Sequence, residues 1–327
     1  MRLPQLRIGI LILPTLAILA GCADASAQGR SSKPIRIVVQ SPPGAAADVL
    51  GRIAGEWIGK RTGLPIVVEN RAGAGGTIAL EAVAKAEPDG HTLLLATNGA
   101  ITINRAMFKK ESIDTLTDIV PVAPLAFNPD ILVINGAMPI KTAQELIALA
   151  KSQPGKINYG SGGAGSTPHL AVALFARLAG IDLVHVPYRG MAPAITDLVA
   201  GNIQAVAIGN ATVAPFVETG ALRILAAAAH RRLPYLPDVP SADEVGLPAW
   251  EVETWYGLFA PRGTPKPVVD ALNAHLAALI DDPASKKRFD DNFYDTKKLS
   301  ADEFGALVKA EAAKWERIVK ETGVEAQ

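Results

Sequence analysis

The residues best placed to do chemistry form one run, Lys-Ile-Asn-Tyr-Gly-Ser-Gly-Gly-Ala-Gly-Ser-Thr-Pro-His-Leu, from Lys156 to Leu170. The pattern reads as a short strand (156–159), a glycine-rich loop (160–165) and a helix. Ser166 or Thr167 serves as N-cap and Pro168 falls in the first turn, where proline is tolerated. Such a turn leaves main-chain N–H groups without intrahelical acceptors at the positive end of a helix dipole, which suits a carboxylate or a phosphate. The glycines permit φ > 0 and close approach of a ligand to the backbone. Ser41-Pro42-Pro43-Gly44-Ala45-Ala46-Ala47-Asp48 and Asn70-Arg71-Ala72-Gly73-Ala74-Gly75-Gly76-Thr77 also each follow a strand pattern and open a helix. The expectation is that the loop at 160–165 grips an anion and that a second such loop faces it across a cleft.

Enzymatic readings fail on spacing. Gly160-Ser161-Gly162-Gly163-Ala164-Gly165 is a literal GxGxxG, but a dinucleotide-dependent oxidoreductase also needs an acid at the end of the next strand. Asp182 has about the right offset yet precedes that strand, which ends at Val186-Pro187-Tyr188. No GKS or GKT follows a glycine loop, and no GxSxG surrounds Ser161 or Ser166. The five histidines show neither HExxH nor paired metal spacing. No catalytic residue, cofactor or metal is expected. His169 falls in the first turn after the loop, where it either donates to a carboxylate or caps and packs. Asp48 either joins the site or complements its helix dipole. Arg71 and Arg189 read as solvated loop arginines.

The bulk numbers bound the rest. A chain of 327 residues, half of them apolar, favours two domains with sizeable cores. Lys+Arg and Asp+Glu are both 32, so an anion site must come from local geometry, and nucleic acid is not an expected partner. At the N-terminus, Arg2 and Arg7 precede an apolar stretch, 8–20, that is too short for a comfortable membrane span. It ends in Leu19-Ala20-Gly21-Cys22, a lipoprotein cleavage pattern, with Ala25-Ser26-Ala27 as an ordinary alternative. Residues 1–27 are therefore expected to be a signal peptide and linker, with lipidation at Cys22 favoured over simple secretion. Cys22 is the single cysteine, so the folded part is expected to hold no disulfide and no thiolate metal site.

The elements that must position these loops alternate between strand and helix. Apolar runs at 35–39, 64–69, 91–96, 130–135, 183–186, 205–208 and 222–229 read as strands. Helical periodicity follows most of them, and Thr142 with Glu145 and Ser300 with Glu303 make capping boxes. Short connections imply βαβ units and a mostly parallel sheet, with ligands beyond the carboxyl ends of its strands. Residues 251–260 could return the chain to the first half. The two halves share element order with little residue identity. Either they form a clam with the ligand between lobes, or any two βαβ units simply look alike.

The quoted motifs resemble a known family. Ile35-Arg36-Ile37-Val38-Val39, Pro42-Pro43-Gly44 through Asp48, Val67-Val68-Glu69-Asn70-Arg71-Ala72-Gly73-Ala74-Gly75-Gly76 and Asp89-Gly90-His91-Thr92-Leu93-Leu94 are similar to the first lobe of the tripartite tricarboxylate transporter receptors, the Bug solute-binding proteins. Gly160-Ser161 through Ser166, His169-Leu170, His185-Val186-Pro187-Tyr188-Arg189-Gly190 and Leu236-Pro237-Asp238-Val239-Pro240 are similar to the second. The resemblance implies a type II periplasmic-binding-protein fold: lobe 1 from 34–132 plus 256–327, lobe 2 from 133–255, and a cleft between them. It implies a non-enzymatic periplasmic monomer, with membrane contact only through a lipid anchor, that delivers a small organic carboxylate to membrane permease subunits. A receptor docking to a sensor protein is the alternative. Carried over residue by residue, the ligand site comprises Ser41, Pro42, Gly44, Ala45, Ala46, Asp48, Thr97, Ser161, Gly162, Gly165, Ser166, His169, Tyr188 and Asn210. Ala45, Ala46 and Ala47 depart from the family's pattern by adding methyls to the first loop.

Overall fold

Aliphatic runs become strands, and those inside the sheet are buried on both faces. Ile35–Val39 (β1) lies between Ile66–Asn70 (β2) and Thr92–Thr97 (β3), all parallel. The structure, a computed structural model, describes residues 33–108 and 113–322. The signal segment and Cys22 lie outside the described residues. Helix Ala46–Thr62 (α1) follows β1 and stops at Gly63, and Thr77–Ala84 (α2) follows β2. Strand alternation sends Ile37, Val39, Leu93 and Leu95 to one core and Val38, Leu94 and Ala96 to another on the opposite face.

The sheet is mixed rather than mostly parallel. The expected strand at 130–135 is the end of a much longer one, Ile119–Asn135 (β4). Pro121, Pro124 and Pro129 hid its first part from a sequence reading. They are accommodated because β4 pairs there with one strand only, Glu253–Pro261 (β9), and the ladder shifts register between Pro121 and Ala123 and between Pro124 and Ala126. β9 is antiparallel to both β3 and β4. It returns the chain to the first half, as residues 251–260 were expected to do.

Past Pro129, β4 enters the second half. It runs antiparallel to Ala205–Gly209 (β7) on one side and Leu222–Ala227 (β8) on the other. Asn158–Ser161 (β5) pairs in parallel with β7 and with Val184–Pro187 (β6). Helices Ala143–Ser152 (α4) and Thr167–Ala179 (α5) pack on one face, and Met191–Ala200 (α6) and Ala214–Glu218 (α7) on the other. A short helical stretch after β3 begins as a π-helical turn, Gly99–Ile103, and continues as Asn104–Met107 (α3). Its β-branched sequence disguised it.

Three helices finish the chain: Lys266–Asp281 (α8), Pro283–Asp290 (α9) and Ala301–Thr322 (α10). α10 straps the halves together. Its Phe304 and Val308 pack in the core of the first half, while Trp315 and Ile318 pack in that of the second. No helix among the described residues is long and apolar enough to cross a membrane.

Candidate functional site at the strand crossing

The registers bring the carboxyl ends of the parallel strands of both halves to one place. Thr97, ending β3, lies opposite Tyr256, which lies opposite Ala126. Gly209, ending β7, lies opposite Asp130, four positions further along β4. About 13 Å of strand separates the two. The helix heads that follow make contact: a Cβ placed on Gly99 would lie 3.7 Å from Thr167 Oγ1, and one on Gly165 would lie 3.3 Å from Met107.

On the first half, α1 has no side-chain cap. Ala45 occupies the N-cap position and its carbonyl accepts the first helical bond, from Val49. The N–H groups of Ala46, Ala47 and Asp48 meet no acceptor among the described residues. The Asp48 side chain serves the loop instead. Its carboxylate accepts from Gly44 N at 2.9 Å, from Asn70 Nδ2 at 2.9 Å, and from both Nε and one terminal nitrogen of Arg52 at 3.0 and 2.9 Å. The Arg52 hydrogen bonds, more than any other contact, hold its pKa down at about 2. Asn70 Nδ2 also donates to Ser41 O at 2.9 Å. Gly44, at φ +82°, makes the turn. The N–H of Gly44 is already used, and the Asp48 carboxylate is saturated with donors and would repel an anionic guest. Pro42 O accepts from Ala45 N at 3.3 Å, so that amide is engaged too. Ser41 Oγ is buried without a partner.

On the second half, Ser166 is the N-cap of α5 yet does not cap it. Its hydroxyl donates to Gly163 O at 2.7 Å. The N–H groups of Gly162, Ala164, Thr167 and His169 consequently meet no acceptor among the described residues. Helices α4, α9 and α10 differ: Thr142, Asp282 and Ser300 cap them. Ser161 is fully buried, its Oγ 2.7 Å from His185 Nε2, 3.1 Å from Gly163 N and 3.0 Å from Gly163 O. The N–H of Gly165 donates to His169 Nδ1 at 3.1 Å. The Ser161 hydroxyl and the Gly165 amide, both at expected site residues, are engaged within the turn. Of the two roles open to His169, packing and support of the loop is the one its Nδ1 performs. Burial, and next the charge of His185, depress its pKa to about 4.

Of the remaining expected residues, Tyr188 turns its hydroxyl away to donate to Asp197 at 2.7 Å. Thr97 Oγ1 accepts from Gln40 Nε2 at 2.7 Å and keeps its own proton to donate. Asn210 is buried with no hydrogen bond to its side-chain amide among the described residues. Arg71 bonds Glu69 at 2.6 Å. Sequence reasoning missed Thr167, Gln40, Asn70 and His185 as functional positions. His185 and Asn70 sit inside the quoted motifs, and that was their only signal. A separate cavity of about 620 Å³ lies elsewhere, between the start of β4 and helices α8 and α10, lined by Leu116, Pro121, Val269 and Val308 among others. No helix head at the crossing opens into it.

The family model described as the tripartite tricarboxylate transporter family receptor matches residues 50–324. The chain belongs to this family. A receptor-family relative from Pseudomonas sp. (strain P51), a UPF0065 protein in the tcbD-tcbE intergenic region, is 36% identical over 291 residues, 89% of this chain and 86% of that protein. Rpa4515 of R. palustris, solved with adipate, superimposes with a TM-score of 0.83 at 31% identity, covering 90% of this chain and 99% of the other. MatC from Rhodopseudomonas palustris, solved with bound malate, gives 0.77 at 34% identity, covering 88% and 98%. Receptors of this family are periplasmic solute-binding proteins, and the fold here is theirs.

Proposed function

We propose that this receptor captures a small organic carboxylate between lobes 34–132 plus 256–327 and 133–255, and hands it to the permease subunits of a tripartite tricarboxylate-type transporter. The carboxylate is held by the open N–H groups at the heads of α1 (Ala46, Ala47) and α5 (Gly162, Ala164, Thr167), with Thr97, Thr167 and Asn210 supplying side-chain polar groups. The observation that carries this reading is that the carboxyl ends of β3 and β7 lie close together along β4, where the helix after β3 meets the head of α5. Desolvated there, N–H groups and helix dipoles hold an anion more strongly than in water. No covalent step is required, so the reading is of a receptor and not an enzyme. The adipate and malate carried by its structural relatives support the ligand class. Export by the N-terminal segment, with or without a lipid on Cys22, belongs to the same reading.

Isothermal titration of the folded protein with mono- and dicarboxylates, adipate and malate included, tests it. Saturable binding by one class is the expected result. No heat from any member of a broad aliphatic and aromatic panel would overturn it. Delivery to a permease rather than to a sensor protein is tested by uptake of that ligand in cells lacking the permease.

A further inference from the structure

The glycine-rich turn between β5 and α5 rests on a stack of rings. His169 and His185 lie face to face with centroids 3.7 Å apart and planes 10° from parallel, and Tyr159 closes the stack 5.0 Å from His185. They come from three elements: Tyr159 from β5, His185 from β6 and His169 from the first turn of α5. Each imidazole reaches a different part of the turn. His169 Nδ1 accepts from the Gly165 N–H, and His185 Nε2 donates to the Ser161 hydroxyl, which itself holds both polar atoms of Gly163. Gly163 and Gly165 have φ of +124° and +75°, a conformation that a free glycine loop would leave readily. The N–H groups that remain open, at Gly162 and Ala164, alternate with the two that are tied down.

We propose that His169 and His185 are positioning residues which lock the glycine-rich turn from beneath, so that Gly162 and Ala164 present their N–H groups to the ligand already aligned. This rests on the carboxylate reading for its consequence in binding, though not for the lock itself. The roles fix the tautomers. An acceptor Nδ1 on His169 puts its proton on Nε2. A donor Nε2 on His185 leaves the Ser161 proton for Gly163 O. Both rings are then neutral, as two imidazoles stacked this closely must be. Among the described residues, His185 and Tyr159 are the titratable rings that face His169, and protonating His185 would oppose protonating His169. Pre-alignment matters because a loop that must be ordered on binding spends part of its interaction energy on that ordering.

The test separates ring packing from ring nitrogens. H169F and H185F keep the stacked rings and remove the nitrogens. H169N and H185Q restore a polar atom near Nδ1 and Nε2 respectively. Amide hydrogen exchange at Gly163 and Gly165 reads the lock without any ligand, and titration with adipate and malate reads its consequence. In the phenylalanine variants, exchange at both glycines should rise at least about tenfold and carboxylate affinity should fall by about tenfold, with both recovering in H169N and H185Q. Unchanged protection in folded H169F and H185F would overturn the proposal, as would loss of protection in all four variants alike. Exchange that responds as expected in a protein that binds no carboxylate supports the lock and overturns only the carboxylate reading.

Discussion

Asp130 lies opposite Gly209 in the β4–β7 ladder, one residue beyond the point where β4 stops pairing with β9. Its carboxyl group is thus enclosed where the two halves of the sheet meet. One oxygen, Oδ2, is buried without a partner. Desolvation dominates and raises its pKa to about 8, with the hydrogen bond from Thr254 opposing and the charge of Glu253 adding. Between the ordinary carboxyl value and about 8, the folded chain therefore binds a proton that the unfolded chain has released. Folding stability falls as pH rises through that window. Asp130→Asn removes the titrating group. Chemical denaturation at intervals from pH 4 to 8 should show the downward slope in the parent and its loss in the variant. A parent whose stability does not fall relative to the variant across that range would refute the assignment.

His169 acts in the opposite sense over part of the same range. Its folded pKa of about 4 lies below the ordinary imidazole value of 6.5, so the unfolded chain binds the extra proton. The stability it contributes is complete above about pH 6.5 and is lost as pH falls toward 4, by at most about 3 kcal/mol. The two slopes partly cancel in the parent. In Asp130→Asn the acid-side loss should therefore stand alone, and in His169→Asn the Asp130 slope should steepen. Matching slopes in the two variants would show that at least one of these groups is not held as described.

Asp48 predicts a different signature. Its carboxylate ties Gly44, Asn70 and Arg52 together at the head of α1, so Asp48→Ala removes the acceptor of the Gly44 N–H and one of the two acceptors of the half-buried Asn70 amide, which keeps Ser41 O. The expected loss is about 2 kcal/mol in stability, tempered because Arg52 is half exposed to solvent. Its pKa is lowered to about 2, so this contribution is present above the ordinary carboxyl pKa and disappears as pH falls toward 2. Ligand affinity should fall with it, because Gly44 loses its anchor. Asp48→Asn should recover part of the stability. An Asp48→Ala protein with unchanged stability and affinity would show that the loop is held by other means.

Much of this arrangement was legible in the chain. Gly63 and Gly180 mark real helix ends, both with left-handed φ. The capping boxes at Thr142 and Ser300 form as their spacing implied. The glycine-rich strand–loop–helix at 156–170 lies where it was expected, at a strand's carboxyl end. Other features were hidden because they depend on partners remote in sequence. β4 looked short because its prolines are tolerated only on a stretch that has a single neighbour. The helix after β3 gave no helical signal because Ile101, Thr102 and Ile103 are β-branched. Within the site, residue type showed which groups could bind an anion but not which were already engaged. Ser161 and Asp48 have suitable chemistry, and only the coordinates place His185, Arg52 and Asn70 against them.

Gly99 gives a direct test of how closely the halves must approach. It opens the helix after β3, and its ordinary φ allows any residue there. A Cβ at this position would lie 3.4 Å from Thr97 Oγ1 and 3.7 Å from Thr167 Oγ1, which is van der Waals contact without collision. Gly99→Ala should therefore fold normally, gaining up to about 1 kcal/mol from helix propensity, and bind with little change. Gly99→Leu extends past that contact into the gap between the first half and the head of α5. If both halves must donate to one carboxylate, the wedge should cut affinity at least about tenfold while the melting temperature stays near that of Gly99→Ala. Full affinity in folded Gly99→Leu would mean that the heads of α1 and α5 need not close on a common ligand.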